Sequence, residues 1–573
     1  MLAVAAAMSA TSCSEDALDI PQKGVTAIEN FYKTDEDAQA AMTAAYASFA
    51  INVPGRGAGF IYTPYKFMLN CGGDDILAAG SNFGDNDFSP AINEYRYDSG
   101  NQLIREFYSG LYLSIYTDNL VIDNFKEGTS ATMKRCVAEA RVLRAYNHFL
   151  LAALWGNPPI VDHVLPADAL PYNSDADPEN PMTHEELLKW VASECQAAAA
   201  DLDERKSTSD KDGAVKVTKG FAYALAGKAL LFAGDKAGAK TELKKVIDSG
   251  KYALVPGEKY WENFHIEGDA NEEKILESNL EFNSNVGNFG GVNERSTWME
   301  ANIWNWRSDH FKNAPHAVYT GFCDGWGGLG VPQWFGDEFF ANDGHSYRFD
   351  ATLKHIDDAI YNMTYPDNVG VNELTLEQKK ASKEIGITDP KDGLYGQSCW
   401  LPFKQLLRAS DCGSYGNNIR LNNNIVMRYA EVLLLYAEAC MESDNAQALW
   451  AINQIRERAG IAALGSVNME TLKKEKSYEL WLEGSRYLDI QRWGDVENLK
   501  KAGQNVPKLF DKLFVPTPLG EVTWQNDRFY TIKSHEAIDA NWDCGYKESK
   551  HKFFPFPLDV TQKNPNLSQH EGW

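Results

Sequence analysis

No Cys-x-x-Cys pair occurs anywhere in the 573 residues, so the nine cysteines offer none of the closely spaced thiols used by structural zinc and dithiol redox sites. Basic residues are also scarce. Fifty-five Lys and Arg against 80 Asp and Glu leave a net charge of −25. A surface of that sign repels nucleic acid phosphates and anionic lipid headgroups, which excludes nucleic acid as a partner. There is no Gly-x-Ser-x-Gly elbow and no Gly-Lys-Ser/Thr phosphate loop, so acyl transfer and nucleotide hydrolysis lack their usual apparatus. His535-Glu536 begins like a zinc-protease motif, but Asp539 stands where the second His belongs. Asp85-x-Asp87-x-Ser89 begins like a calcium loop, but Pro90 takes the place of its turn glycine. No metal and no cofactor are expected. Past the first dozen residues no apolar run is long enough to span a bilayer.

What unbroken hydrophobicity there is lies at the start, in MLAVAAAMSATSC, where the first basic residue is as late as Lys23. An apolar stretch followed by small residues is the middle and cut site of a secretory leader, although the usual basic opening is missing. Ala10-Thr11-Ser12-Cys13 resembles a bacterial lipobox, with Ala10 where Leu is commonest, and Ser14-Glu15-Asp16 follows as an acidic run. The expectation is a leader over 1–12, lipid on Cys13 and a tether over 13–30. Attachment to a membrane is then by acyl chains and not by a helix.

The body reads as helical. Thr34-Asp35-Glu36-Asp37 supplies a cap and first-turn acids for a helix whose apolar face is Ala38, Met42, Ala45, Tyr46 and Phe49. Further helices are predicted over 101–124, 135–155 and 183–202. Lys219–Gly250 has the spacing of a tetratricopeptide hairpin, with Gly227, Leu230, Gly234, Ala239, Leu243 and Val246 at the repeat positions. Arg428–Gly460 is a second hairpin, broken at Ser443-Asp444-Asn445 and closed by Gly460. One helix is expected over 475–493, with Glu483, Arg486, Asp489 and Arg492 spaced for ion pairs along it, in a charge network that locks two layers together. Glu272–Phe282 reads as strand-bearing. Residues 52–98 and 283–345 are irregular and rich in Gly, and the second of them is also rich in Asn and Trp.

Several of these segments carry a family resemblance. RYAEVLLLYAEA followed by NQIRERAG, the run into Trp155-Gly156-Asn157-Pro158-Pro159, YELWLEGSRYLDIQRWG, and the tail with Phe554-Pro555-Phe556-Pro557 together resemble the signatures of the SusD/RagB family. The resemblance implies a mainly α, SusD-like fold, with tetratricopeptide-like helical hairpins and a loop-rich, irregular ligand-binding part holding a few short strands. Residues 31–573 are expected to form one unit, with helical hairpins over 31–260 and the family's C-terminal half over 261–573. It further implies a non-catalytic lipoprotein on the outer face of the outer membrane. Such a protein binds an oligosaccharide and delivers it to a SusC-like TonB-dependent porin, which meets the helical surface. A surface glycan hydrolase and a receptor for peptides are the alternatives.

The residues that suit a sugar are aromatic, with Asn, Asp or Arg close by. A ring stacks on the C–H face of a pyranose while amides, carboxylates and guanidinium groups bond its hydroxyl rim. Three loop segments meet that description: Asn82–Phe83, Trp304 with Trp306 and Arg307, and Asp324 with Trp326. For any one of these Trp residues, core packing is the competing role.

Overall fold

The computed structural model describes residues 31–54, 64–78, 84–279, 304–305, 311–312, 323, 325–355, 386–387, 394–412, 420–502, 507–511, 530–534 and 544–573. The helices are α1 (Asp35–Asn52), α2 (Pro64–Asn70), α3 (Phe88–Asn93), α4 (Gln102–Phe125), α5 (Ala131–Trp155), α6 (His184–Ala198), α7 (Lys219–Phe232) and α8 (Lys236–Asp248). They continue with α9 (Gln333–Asp343), α10 (Tyr347–Thr352), α11 (Ala409–Cys412), α12 (Tyr429–Cys440), α13 (Asn445–Ala459), α14 (Met469–Glu479) and α15 (Arg486–Trp493), before two short C-terminal turns. Of the short strands, β1 (Leu77–Ala78), β2 (Lys274–Ser278), β3 (Phe311–Lys312), β4 (Leu329–Gly330) and β5 (Leu353–His355) precede β6 (Gly386–Ile387), β7 (Leu394–Tyr395), β8 (Trp400–Pro402) and β9 (Asn424–Arg428). All pair antiparallel in small ribbons, among them β1 with β4, β2 with β9 and β5 with β8.

The cap read at Thr34 is present as a reciprocal box. The Asp37 amide donates to the Thr34 hydroxyl at 3.1 Å, and the Thr34 amide donates to the Asp37 carboxylate at 2.9 Å. From α1 the helices stack in sequence: α4 on α1, α5 on α4, α6 on α5, α7 on α6, α8 on α7, and then α12 on α8 with α13 against α12. The two hairpins read from the sequence, α7–α8 and α12–α13, are thus neighbours although about 200 residues apart. Gly227 marks how closely the first one packs: a Cβ there would lie 2.5 Å from Leu243 Cγ. Ala437 on α12 is fully buried. One apolar core draws on residues from Ala38 to Leu567. The tail closes it, with the Trp155 indole donating to Pro555 O at 3.0 Å and the Phe554 amide to Leu154 O at 2.8 Å. Among the described residues no helix is long and apolar enough to cross a membrane.

The single helix expected over 475–493 is two. α14 stops at Glu479, Leu482 and Gly484 take left-handed φ values of 63° and 78°, and α15 begins at Arg486. The physical reason lies in the Glu479 carbonyl. It accepts from Arg428 Nη2 at 2.7 Å, from Lys404 Nζ at 3.0 Å and from the Tyr260 hydroxyl at 3.1 Å. Side chains distant in sequence thus satisfy the helix end, and the helical spacing of the charged residues runs on through the turn. Their ion pairs run mainly between elements. Glu483 meets Arg428 and Lys404, Arg486 meets Asp74, and Arg492 meets Glu438 as well as Asp489. Ser346 caps α10, its hydroxyl accepting from the Phe349 amide, and β5 follows directly after that helix.

Candidate functional site

Two polar regions stand out, one inside the molecule and one at its surface, and residues 404–412 join them. The inner region begins where β9 delivers Arg428 into the core. Its guanidinium meets Glu273 and Glu479 at 2.6 Å each and Glu483 at 2.6 Å. Arg458 reaches the same Glu273 at 3.1 Å and also pairs with Glu479. Arg348 holds Asp343 at 2.7 Å and Glu475 at 2.5 Å, Arg456 reaches Glu475 at 2.8 Å, and Lys404 reaches Glu483 at 2.7 Å. Five cations thus face five carboxylates, so the lattice carries no net charge into a low-dielectric interior. Burial opposes the charge on Glu479, but Arg458, Arg428 and Arg348 outweigh it and hold the carboxyl down at about 2. Burial pulls the Lys404 ammonium down to about 8 against the attraction of Glu483. The buried Tyr260 ring lies 4.6 Å from the Arg458 guanidinium. A glycosidase needs carboxylates that reach a sugar and a water. These ones are mostly buried and engaged by cations, so their chemistry is cohesion.

Lys404 belongs to the lattice, and the next residue turns outward. Gln405, at φ 63°, accepts from Lys66 Nζ at 3.1 Å and donates to Leu482 O at 2.9 Å. The Lys66 ammonium sits 5.8 Å from the centroid of Trp304. Two residues further on, Leu407 meets Asn305, which is the hub of the outer region. The Asn305 amide nitrogen donates to Leu407 O and Cys323 O, both at 2.9 Å, and its oxygen accepts from the Leu407 amide at 3.0 Å. The Asn305 carbonyl accepts from the Gly327 amide at 2.8 Å. At Gly325 a Cβ would lie 2.4 Å from that same carbonyl, so only glycine allows this approach. Gln397 then holds the following residues, donating to Gly327 O at 3.1 Å and Leu329 O at 2.9 Å. Finally β4 pairs with β1, Leu329 opposite Ala78.

Two of the three loop segments read as sugar-binding therefore meet in their described parts, and β1, which ends four residues before the third, pairs beside them. Ala78, from which the chain leaves toward Asn82 and Phe83, is paired beside the 325–328 turn. Trp304–Asn305 packs on that turn from the other side. Trp326 lies within it with 38 % of its surface exposed. Asn82, Phe83, Trp306, Arg307 and Asp324 lie outside the described residues. Trp304 takes the competing role. It is 3 % exposed, and its ring lies 5.4 Å from that of the buried Phe67 in an edge-on contact, so it offers no face to a ligand. Sequence reading missed the structural role of Asn305, and it missed Gln397 and Lys66. An Asn between two Trp residues was visible, but its side chain makes three bonds to two residues, Cys323 and Leu407, which lie 18 and 102 residues away.

Two further features compare poorly as sugar sites. A groove of about 590 Å³ runs between α4, residues 159–171 and the tail, lined by Tyr112, Leu113, Tyr116, Leu165, Leu170 and Val560 among others. Its walls are chiefly apolar and supply few groups for a hydroxyl rim. Gly325–Gly330 spells G-x-G-x-x-G, but it runs into a short antiparallel strand and does not link a parallel strand to a helix, so it has none of the nucleotide-loop context. At the calcium-like run, Asp87 is engaged by Arg96 at 2.6 Å.

Comparison with known proteins follows the same outline. Residues 293–573 match the model of the SusD family, and residues 76–231 match a model described as starch-binding associating with outer membrane. The chain is similar to SusD-like protein P2 of Formosa agariphila, 24% identical over 506 residues that cover 86% of this chain and 89% of the relative. Among solved structures it is similar to a laminarin binding SusD-like protein, with a TM-score of 0.70, 19% identity and coverage of 95% of this chain and 100% of that one. It is also similar to surface glycan-binding protein A from Bacteroides thetaiotaomicron in complex with laminarihexaose, with a TM-score of 0.67, 19% identity and coverage of 94% and 100%.

Proposed function

Taking as premise that this chain belongs to the SusD/RagB family, we propose that it is a non-catalytic glycan receptor held on the outer face of the outer membrane through lipid on Cys13. It binds an oligosaccharide at the surface formed by the 325–328 turn, with Trp326 as the stacking ring and Asn82, Phe83, Trp306, Arg307 and Asp324 as further contacts. It then delivers the sugar to a SusC-like TonB-dependent porin that meets the helical surface. The observation that carries the reading is the packing of Trp304–Asn305, from one segment chosen for its chemistry, on the turn of another, which leaves Trp326 exposed. The groups that hold the turn in place are backbone amides and the buried Asn305 and Gln397, so the face is organised before any ligand arrives. That limits the ordering cost of binding. Two similar structures, one of a laminarin binding SusD-like protein and one in complex with laminarihexaose, favour β-glucans as the first ligands to try.

The test is calorimetry of the purified chain against laminarihexaose, maltoheptaose and cellohexaose, with chromatography of the same mixtures for released sugars. Saturable binding of at least one glucan with every chain left intact is expected. Shortened products would establish the hydrolase alternative. Binding of peptides but no glycan would keep the receptor and replace its substrate. Carbonate-washed membranes from cells carrying Cys13→Ser test the anchor, since the variant is expected in the soluble fraction.

A further inference from the structure

We propose that Cys323 and Cys412 form a disulfide when the chain folds in an oxidising compartment, and that this bond fastens the turn carrying Trp326 to the segment leading back to the ionic lattice. Their sulfur atoms lie 3.5 Å apart, both side chains are buried, and Leu407 completes the small apolar cluster around them. Thiols in van der Waals contact need to close by only about 1.5 Å to reach the S–S bond length of roughly 2.05 Å. The backbone around Cys323 is fixed by hydrogen bonds. The Cys323 amide donates to Leu407 O at 2.8 Å, and Asn305 bridges Cys323 O and Leu407 O. On the other side, α11 presents Cys412 one residue after Asp411, which is fixed by His265 at 2.8 Å and by the Ile266 amide at 3.0 Å.

Cys71 and Cys544 are differently placed. Cys71 faces the Ser89 hydroxyl at 3.4 Å, and Cys544 lies 3.6 Å from Ala502 O. The pair is 89 residues apart, so the bond would close a long loop that contains every element from β4 to β8, with α9 and α10 among them. Closing so long a loop removes many conformations from the unfolded chain while adding little movement to the folded one. The chemistry is exchange with a disulfide donor. One cysteine thiolate attacks a sulfur of the donor and releases one donor thiol. The second cysteine thiolate then displaces the other donor thiol, leaving one Cys323–Cys412 bond and two reduced donor thiols, which take up the two protons the cysteines lost.

The test sends the full chain to an oxidising periplasm behind a host leader fused ahead of Met1, so its outcome does not depend on where the chain resides in its own cell or on whether it binds glycans. Protein from the periplasmic fraction is quenched in acid, unfolded, alkylated and digested without reductant. The expected result is a peptide pair linked through Cys323 and Cys412 that separates on reduction. Dithiothreitol is then expected to lower the melting temperature of the wild type but not that of the Cys323→Ala/Cys412→Ala double variant. Separate alkylation of both thiols in the periplasmic protein, or a bond from either one to a different cysteine, overturns the proposal.

Discussion

The ionic lattice around Arg428 and the turn around Trp326 are only a short stretch of chain apart, joined by residues 404–407, yet they are built by opposite rules. In the lattice every charge is matched and nearly all of it is withdrawn from water. Its five cations come from α10, α13, β9 and the segment after β8, and they clamp those elements together. At the turn the polar work is done by amide groups, the backbone is held by neutral hydrogen bonds, and one large ring is left in solvent. Side chains that specify packing have spent their hydrogen-bonding capacity on one another. A surface meant for a changing ligand keeps some of that capacity free. The same contrast separates Trp304 from Trp326, two rings that the sequence presents alike.

The largest expected effect is on the lattice side. Arg428→Met removes the cation shared by Glu273, Glu479 and Glu483 and leaves those carboxylates under-compensated, which should cost about 3–5 kcal/mol in chemical denaturation. Binding by the remaining folded protein should be unchanged. If the variant unfolds at the wild-type denaturant midpoint, the lattice is not holding the layers together.

Acid should break the lattice before it touches the turn. Glu479 is held at about 2, below its ordinary value near 4.5. A lowered carboxyl contributes stability that is present above the unfolded value and is lost as the pH falls from about 4.5 toward 2. The size is on the order of 3 kcal/mol. His148, buried and pulled down to about 4 by desolvation, adds to the loss between pH 6.5 and 4, because it must take a proton on unfolding. Buried Asp75 and half-buried Asp269, raised to about 7 by desolvation, act in the opposite sense on the whole chain, so Glu479 is read by difference. The stability that wild type holds over Glu479→Gln should shrink as the pH falls from about 4.5 toward 3, and a pH-independent difference contradicts the assignment of Glu479.

A smaller effect tests the helical stack. Ala437→Leu places three extra carbons at a fully buried position of α12 and should cost about 1–3 kcal/mol by overpacking. Unchanged melting would mean that the α12 packing is looser than drawn.

The helical part was legible because its signals are local. Caps, apolar faces at helical spacing and the small residues Gly227 and Ala437 fall within single segments, and those helices appear close to where they were read. The break between α14 and α15 was not legible, because the donors that end α14 at the Glu479 carbonyl come from Arg428, Lys404 and Tyr260, the last of them 219 residues away. The lattice itself was half visible. The spacing of Glu483, Arg486, Asp489 and Arg492 announced a charge network, while partners such as Glu273, Asp343 and Lys404 carried no pattern of their own. At the turn, residue types suggested the chemistry, but what brings the segments together is a two-residue β1–β4 pairing and one Asn side chain, neither of which has a periodicity to read. Trp304 and Trp326 are alike in composition and differ only in what packs on them, which no local signal records.

The two tryptophans supply the most direct measurement of the account. Trp326→Ala and Trp304→Ala are each assayed by denaturation and by calorimetry with the glucan that binds wild type most tightly. The account predicts a crossed result. Trp326→Ala should unfold within about 0.5 kcal/mol of wild type and lose about thirtyfold in affinity, roughly 2 kcal/mol, as for a central stacking ring. Trp304→Ala should lose about 3–5 kcal/mol of stability, with the folded fraction still binding. Wild-type affinity in Trp326→Ala, or a loss of its binding that merely follows a loss of fold, would contradict the assignment of the 325–328 turn as the glycan surface.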